Sequence, residues 1–306
     1  MIAIVAAIVA SVAAGVWAER RFDARAGDAS RKSLVFVLYV LLPPTTFFNI
    51  AAADIDVGTA AGVGLAWIAV AASALAAWFV ATRLLELRRA AVGAVVVCVL
   101  IANSGYLGYP VVAVIEGLDA LSVAVVFDIL VFAPALLIGA FSVGAAFGER
   151  AGEGPRERTI AFFARNPPLY AAILGLLAPD ALAPDVAVDI SRIVIVAILP
   201  LGFFAVGVVL AEESEHGTFG GVPRLDGPVG LAVGARMVLT PLLLIGLAAP
   251  FIELPETGLL LISMPCGINT LVVAHAYGLD LRIAAAAVAW STTIAVIGLV
   301  PLSLLA

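Results

Sequence analysis

The chain is 306 residues long, 63% hydrophobic and only 12% charged, with a mean hydropathy of +1.17 and a net charge of −6. A water-soluble domain carries about 25% charged residues to cover its core, so lipid is the solvent for most of this chain. No basic run is dense enough to follow a phosphate backbone, which excludes nucleic acid as a partner. Lys32, between Arg31 and Ser33, is the only lysine, so there is no phosphate loop ending in Gly-Lys-Ser/Thr and no ATP-driven pump built from this chain alone. His216, His275, Cys98 and Cys266 show no metal-ligand spacing, and no cofactor, metal site or disulfide is expected.

Apolar runs between charged or Pro/Gly breaks predict ten spans, an all-α polytopic membrane protein. They fall near residues 2–18, 33–53, 58–82, 90–115 and 119–147, then 167–183, 190–211, 227–250, 257–277 and 282–305. The first run lacks a basic n-region and is followed by Arg20 and Arg21, so it reads as a retained helix rather than a leader. Basic residues then alternate loop by loop. Arg20, Arg21, Arg25, Arg31 and Lys32 fall in loop 1-2, Arg83, Arg88 and Arg89 in 3-4, and Arg150, Arg156, Arg158 and Arg165 in 5-6. Arg224 falls in loop 7-8 and Arg282 in 9-10, whereas loops 2-3, 4-5 and 8-9 hold acids such as Asp54, Asp56, Glu116, Asp119, Glu253 and Glu256. The positive-inside rule places both termini outside, in the cell membrane. Arg192, just inside span seven, is the exception on the outer side, and Arg236, early in span eight, is expected to snorkel to the inner surface.

Five spans on either side of a cytoplasmic linker at 148–166 give the two halves, 1–147 and 167–306, opposite orientations. The halves are similar in sequence. Leu42–Phe48 (Leu-Pro-Pro-Thr-Thr-Phe-Phe) parallels Ile198–Phe204 (Ile-Leu-Pro-Leu-Gly-Phe-Phe), and Val111-Val112-Ala113 with Gly117-Leu118-Asp119 parallels Val272-Val273-Ala274 with Gly278-Leu279-Asp280. Two such matches in corresponding spans predict a 5+5 inverted repeat, the architecture of secondary transporters that bind substrate where the repeats meet.

The centres of spans four and nine carry the candidate site. Span four holds Asn103, Ser104, Gly105, Tyr106 and Pro110; span nine holds Pro265, Cys266, Gly267, Asn269 and Thr270. Proline removes a backbone donor and disrupts the preceding turn, and the freed carbonyls are tolerable in hydrocarbon only around a protein-enclosed cavity. Two broken helices crossing at the midplane would offer an anion half-helix N-termini, with Asn103 and Asn269 adding neutral hydrogen bonds. Packing alone also uses Gly, Pro and small polar residues in membrane helices, and Cys98, Cys266 and Ser291-Thr292-Thr293 have that simpler explanation. His275 reads as a surface residue near the inner end of span nine. Asp128 stands nine residues below Asp119, about 14 Å into the bilayer, and is the candidate for proton coupling, or alternatively a protonated hydrogen-bond donor to a neighbouring helix.

Ala102–Pro110 and Met264–Thr270 resemble the two hallmark segments of the auxin efflux carrier family of membrane transporters, of the short-loop prokaryotic type. Leu42-Pro43-Pro44 with Phe47, and Ser291-Thr292-Thr293, resemble the family's patterns in spans two and ten. The resemblance implies a scaffold of spans 1, 2, 6 and 7 that forms a homodimer through helices 2 and 7. It implies a moving domain of spans 3–5 and 8–10, with Asn103 and Asn269 at carboxylate-contacting positions. The expected function is a secondary carrier of a small organic anion working by elevator-type alternating access, not an enzyme. The alternatives are a sodium-coupled symporter of the related bile-acid-transporter fold, or a non-transporting membrane receptor.

Overall fold

The computed structural model describes residues 2–22, 24–53, 56–149, 167–215 and 224–305. Asp54, His216 and the linker from residue 150 onward, with its arginines, lie outside the described residues. The described chain is helical, and its one departure toward β structure is an isolated antiparallel bridge between Ala102 and Cys266.

The first half begins with α1 (Ile2–Phe22) and α2 (Ala24–Phe36), which continues through a π-helical turn at Val37–Leu41 into α3 (Leu42–Ala51). Next is α4 (Val57–Phe79), capped by Asp56, whose carboxylate accepts the Thr59 N–H at 2.7 Å; that bond holds the Asp56 carboxyl below its ordinary range. Then come α5 (Arg89–Leu100), a π-helical turn at Ser104–Gly108, α6 (Tyr109–Ile115), α7 (Leu121–Phe127) and α8 (Phe141–Phe147). The second half has α9 (Pro167–Leu177), α10 (Asp185–Glu215), α11 (Gly227–Gly234), α12 (Thr240–Ala248), α13 (Glu256–Ile262), α14 (Asn269–Tyr277) and α15 (Leu281–Leu305). Among the described residues, five continuous helices are long and apolar enough to cross a membrane: Val57–Leu84, Leu121–Phe147, Asp185–Ala205, Gly227–Ala248 and Leu281–Gly298.

Prolines are accommodated by widening the helix ahead of them. π-helical turns at Val37–Leu41, Ser104–Gly108, Asp128–Phe132 and Ala235–Leu239 end two residues before Pro43, Pro110, Pro134 and Pro241 respectively. A proline ring clashes with the carbonyl four residues back, and a π turn swings that carbonyl aside so that the helix continues. Pro200 is carried inside α10 without such a turn, whereas Pro179 ends a helix. α9 stops at Leu177, short of the expected 183, because the residue before Pro179 is pushed out of helical geometry.

The helices pack in two groups. In one, α1 runs along α10, α9 lies on α3, and α10 also touches α2 and α3. The α1–α10 approach depends on glycine: a Cβ at Gly207 would lie 2.1 Å from the Val12 carbonyl oxygen, and one at Gly15 2.1 Å from that of Phe204. Asn49 ties α3 to α10 by donating to Ser191 Oγ at 2.8 Å. The second group is built around α5, which is apolar on every side and buried from Ala90 to Leu100, as such a helix must be. It is surrounded by α4, α8, α11 and α15, and the Ala284–Ala287 run keeps α15 close. α6, α7, α12, α13 and α14 complete this group, which meets the first along α7 against α3 and α6 against α10.

The ion pairs of the described residues form two sets at the ends of the helices. At one end Arg88 pairs with Asp280 and Arg282 with Asp226, each at 2.8 Å, while Arg89 Nε donates to the Ala146 carbonyl at 2.9 Å. At the other, Arg192 is held between Asp119 and Asp189, and Thr257 donates to Glu116.

Candidate functional site

The chain breaks its helical course between α5 and α6 and again between α13 and α14. α5 stops at Leu100, the chain runs extended at Ile101, and helix resumes at Ser104; α13 stops at Ile262 and α14 begins at Asn269. The two breaks satisfy each other. The Asn103 N–H donates to the Pro265 carbonyl at 2.9 Å and the Gly267 N–H donates to the Ile101 carbonyl at 2.8 Å, which forms the Ala102–Cys266 bridge. Backbone groups freed within an apolar interior need such partners. Gly267 permits the contact, because a Cβ there would lie 2.6 Å from the Ala102 carbonyl oxygen. Ser291 Oγ accepts the Cys266 N–H at 3.1 Å and donates to its own helix at Val288, and Thr293 bonds its own backbone at Ala289. The half-helices end alike beyond the crossing, with Gly117 after α6 at φ 95° and Gly278 after α14 at φ 69°, conformations that side chains with a Cβ rarely adopt.

Beside the crossing lies a cavity of about 400 Å³. Asn103, Ser104, Gly105, Tyr106, Gly267, Asn269 and Asp128 all line it, so the structure gathers these sequence candidates in one place. Pro110, Pro265, Cys266 and Thr270 are buried next to it but do not line it. Pro110 opens α6, Pro265 and Cys266 form the bridge, and the Cys266 thiol packs on that of Cys98. The rest of the wall is apolar and comes from both packing groups: Ile129, Phe132 and Leu136 from one, Val37, Leu42, Ile195 and Ile198 from the other.

Polar chemistry is concentrated at the break that follows α5. Asn103 is buried, and neither its side-chain oxygen nor its nitrogen has a hydrogen-bond partner. A buried amide left in that state costs about 1–3 kcal/mol, which a ligand reaching both atoms would recover. Asp128 accepts hydrogen bonds from Ser104 Oγ at 2.5 Å and Tyr109 Oη at 2.7 Å, so its carboxylate is fixed to the break and the start of α6. Tyr106 closes the wall toward the other packing group by packing its ring against Gly202 of α10. Among the described residues no three His, Cys, Asp or Glu side chains are grouped to hold a metal ion. His275 is exposed, away from the cavity.

Arg236 is the buried charged residue that the sequence reading misplaced. It does not snorkel to an end of the bundle; its residue is 0% exposed. Its guanidinium donates to the carbonyls of Met264 at 3.1 Å, Val99 at 3.1 Å and Ile262 at 2.6 Å, at the facing ends of α5 and α13. The signal was present: Arg236 lies nine residues into the helical segment that starts at Gly227, about 14 Å along the axis, the same depth reasoning that singles out Asp128.

Residues 159–302 match the family described as membrane transport protein. Over 227 residues, 71% of this chain and 69% of the relative, the sequence is 26% identical to an uncharacterized transporter of Methanocaldococcus jannaschii.

Proposed function

We propose that this chain, similar to a membrane transport protein family over residues 159–302 and to an uncharacterized transporter, is a member of the auxin efflux carrier family and a secondary carrier of a small carboxylate, working by elevator-type alternating access. The observation that carries the reading is the unpartnered amide of Asn103 at the wall of a cavity where two broken helices cross. A cavity of about 400 Å³ is of the size that holds a small molecule, with apolar walls and a few convergent polar groups. The carboxylate accepts from the side-chain N–H groups of Asn103 and Asn269, and from Ser104 once Asp128 is protonated and releases its hydroxyl hydrogen, with Gly105 and Gly267 allowing close backbone approach and the N-terminal ends of the resumed helices supplying favourable dipoles. Pro110, Pro265, Cys266 and Thr270 support these groups from behind.

The elevator motion rests on the division of the helices into two groups that share the cavity wall. α1–α3 with α9 and α10 serve as scaffold and dimerise through spans two and seven, here α2–α3 and α10; the other group carries the crossing. Ten spans in a 5+5 inverted repeat, with both termini outside the cell membrane, complete the arrangement. The paired left-handed glycines Gly117 and Gly278 support the repeat, since they end corresponding half-helices. Asp128 is the proton-coupling group: protonation changes whether Ser104 and Tyr109 must donate to it, and so reshapes the binding wall.

A ligand-stabilisation screen of the purified protein against dicarboxylates, amino acids and aromatic acids tests the reading. Binding raises stability by about 2.7 kcal/mol at a hundred times Kd. At least one carboxylate is expected to stabilise the parent and to lose most of that effect in Asn103→Ala. Stabilisation by neutral or cationic solutes alone would overturn the anion assignment.

A further inference from the structure

Arg236 combines features that do not belong to an ordinary buried arginine. It is fully buried within the bundle, and among the described residues no carboxylate lies within 4.0 Å of it. All three of its nitrogens donate instead to backbone carbonyls, those of Val99, Ile262 and Met264. Val99 lies in the last turn of α5, Ile262 ends α13, and Met264 lies within the break that follows. These are the orphan carbonyls that a helix leaves at its C-terminus, where its dipole is negative. The guanidinium carbon also stands 5.7 Å from the centre of the Phe132 ring, and Phe132 lines the substrate cavity.

Carbonyls at the unwound ends of broken helices are the groups that ligate the coupling sodium ion in transporters that use one. Here a side chain holds them. We propose that Arg236 is a tethered cation: it fills the carbonyl cage of the crossing permanently, so that no sodium ion binds there. Removing a guanidinium from water is costly, and two converging helix ends plus an aromatic face offset that cost without a counter-ion. A positive charge is then fixed behind the crossing, opposite the cavity, where it favours an anion and cannot dissociate during a transport cycle. The last consequence, that carboxylate transport needs no sodium, rests on the carrier reading; occupation of the cage does not.

The test is chemical rescue, read without any substrate. Purified parent and Arg236→Ala proteins are unfolded thermally in N-methylglucamine buffer and again with added sodium or guanidinium chloride at low millimolar concentration. The parent Tm is expected to be the same in all three. Arg236→Ala is expected to lose stability and to regain most of the lost Tm, saturably, with guanidinium and to a lesser extent with sodium. A parent stabilised saturably by sodium, or a folded Arg236→Ala protein that neither cation restores, would overturn the proposal. If Arg236→Ala gives no folded protein, Arg236→Lys and Arg236→Met decide the matter. Stability kept by lysine and lost by methionine supports a required charge, and a methionine variant equal to the parent refutes it. Uptake of a labelled carboxylate into sodium-free proteoliposomes is the separate arm. A strict sodium requirement there overturns the sodium independence, whereas no uptake in any buffer counts against the carrier reading and leaves the rescue result standing.

Discussion

Adding a single methyl group at residue 202 tests the contact through which the two helix groups close the cavity. A Cβ on Gly202 would lie 1.9 Å from Tyr106 Cδ1 and 2.4 Å from its Cε1, about 1.5 Å inside an ordinary contact of 3.4 Å. Either α10 retreats or the Tyr106 ring swings into the cavity that it lines. Overpacking of this kind costs about 1–3 kcal/mol, and because the obstacle is a side chain facing open space, the lower half of that range applies to Gly202→Ala. The ring then occupies part of the binding volume, so ligand stabilisation falls as well. Tyr106→Ala removes the obstacle, so adding Gly202→Ala to it should cost almost nothing further, a coupling of about 1–2 kcal/mol in a double-mutant cycle. Thermal unfolding of the four proteins in detergent, followed by calorimetry, measures it. Single and double effects that add within about 0.5 kcal/mol would show that ring and glycine do not oppose each other, and would remove the proposed seam between the groups.

Gly207→Ala should be more damaging than Gly202→Ala. Its Cβ meets the Val12 carbonyl oxygen at 2.1 Å, and helix backbones rather than a ring must part; an unchanged Tm would refute the α1–α10 contact. Glu116→Gln should gain on the parent as pH rises. Burial holds the Glu116 carboxyl above its ordinary range despite the Thr257 hydroxyl, so its ionisation opposes the fold. The penalty is absent below the ordinary carboxylate pKa and grows as pH climbs through the raised one. Tm measured from about pH 4 to about pH 7 checks the sign, and a difference that is flat with pH would contradict it. Asp128→Asn keeps the shape of the side chain but not its titration, and should fold, bind carboxylate and lose transport driven by an imposed pH gradient; undiminished pH-driven transport would make Asp128 structural.

Local chemistry carried much of the fold into the sequence. The Pro and Gly clusters near 103–110 and 264–270 mark the two breaks, and the Gly-Leu-Asp echoes at 117 and 278 mark two glycine terminators with left-handed backbone. Depth along a span revealed Asp128 because a carboxylate cannot snorkel far. The same arithmetic applied to Arg236, but a long cationic side chain can reach an interface, and only the packed structure shows that it turns inward to the carbonyls of Val99, Ile262 and Met264. The partners of Asp128 and the contact of Tyr106 with Gly202 join residues 19 to 96 positions apart on different helices, and no spacing rule encodes such contacts. α2 starts at Ala24, well before the expected 33, because its polar first turns are held by packing on α10 rather than by apolar periodicity.

Binding of a carboxylate at the crossing and its passage across the membrane are the two halves of the proposed function. Uptake of a labelled carboxylate, chosen by the stabilisation screen, into proteoliposomes containing parent or Asn103→Ala protein tests both halves at once. The account predicts saturable net uptake by the parent and an apparent affinity weakened about ten- to hundred-fold in the variant, the loss of a buried hydrogen bond to an anion of about 1.5–3 kcal/mol. Saturable binding with no uptake, or unchanged affinity in folded Asn103→Ala protein, would contradict it.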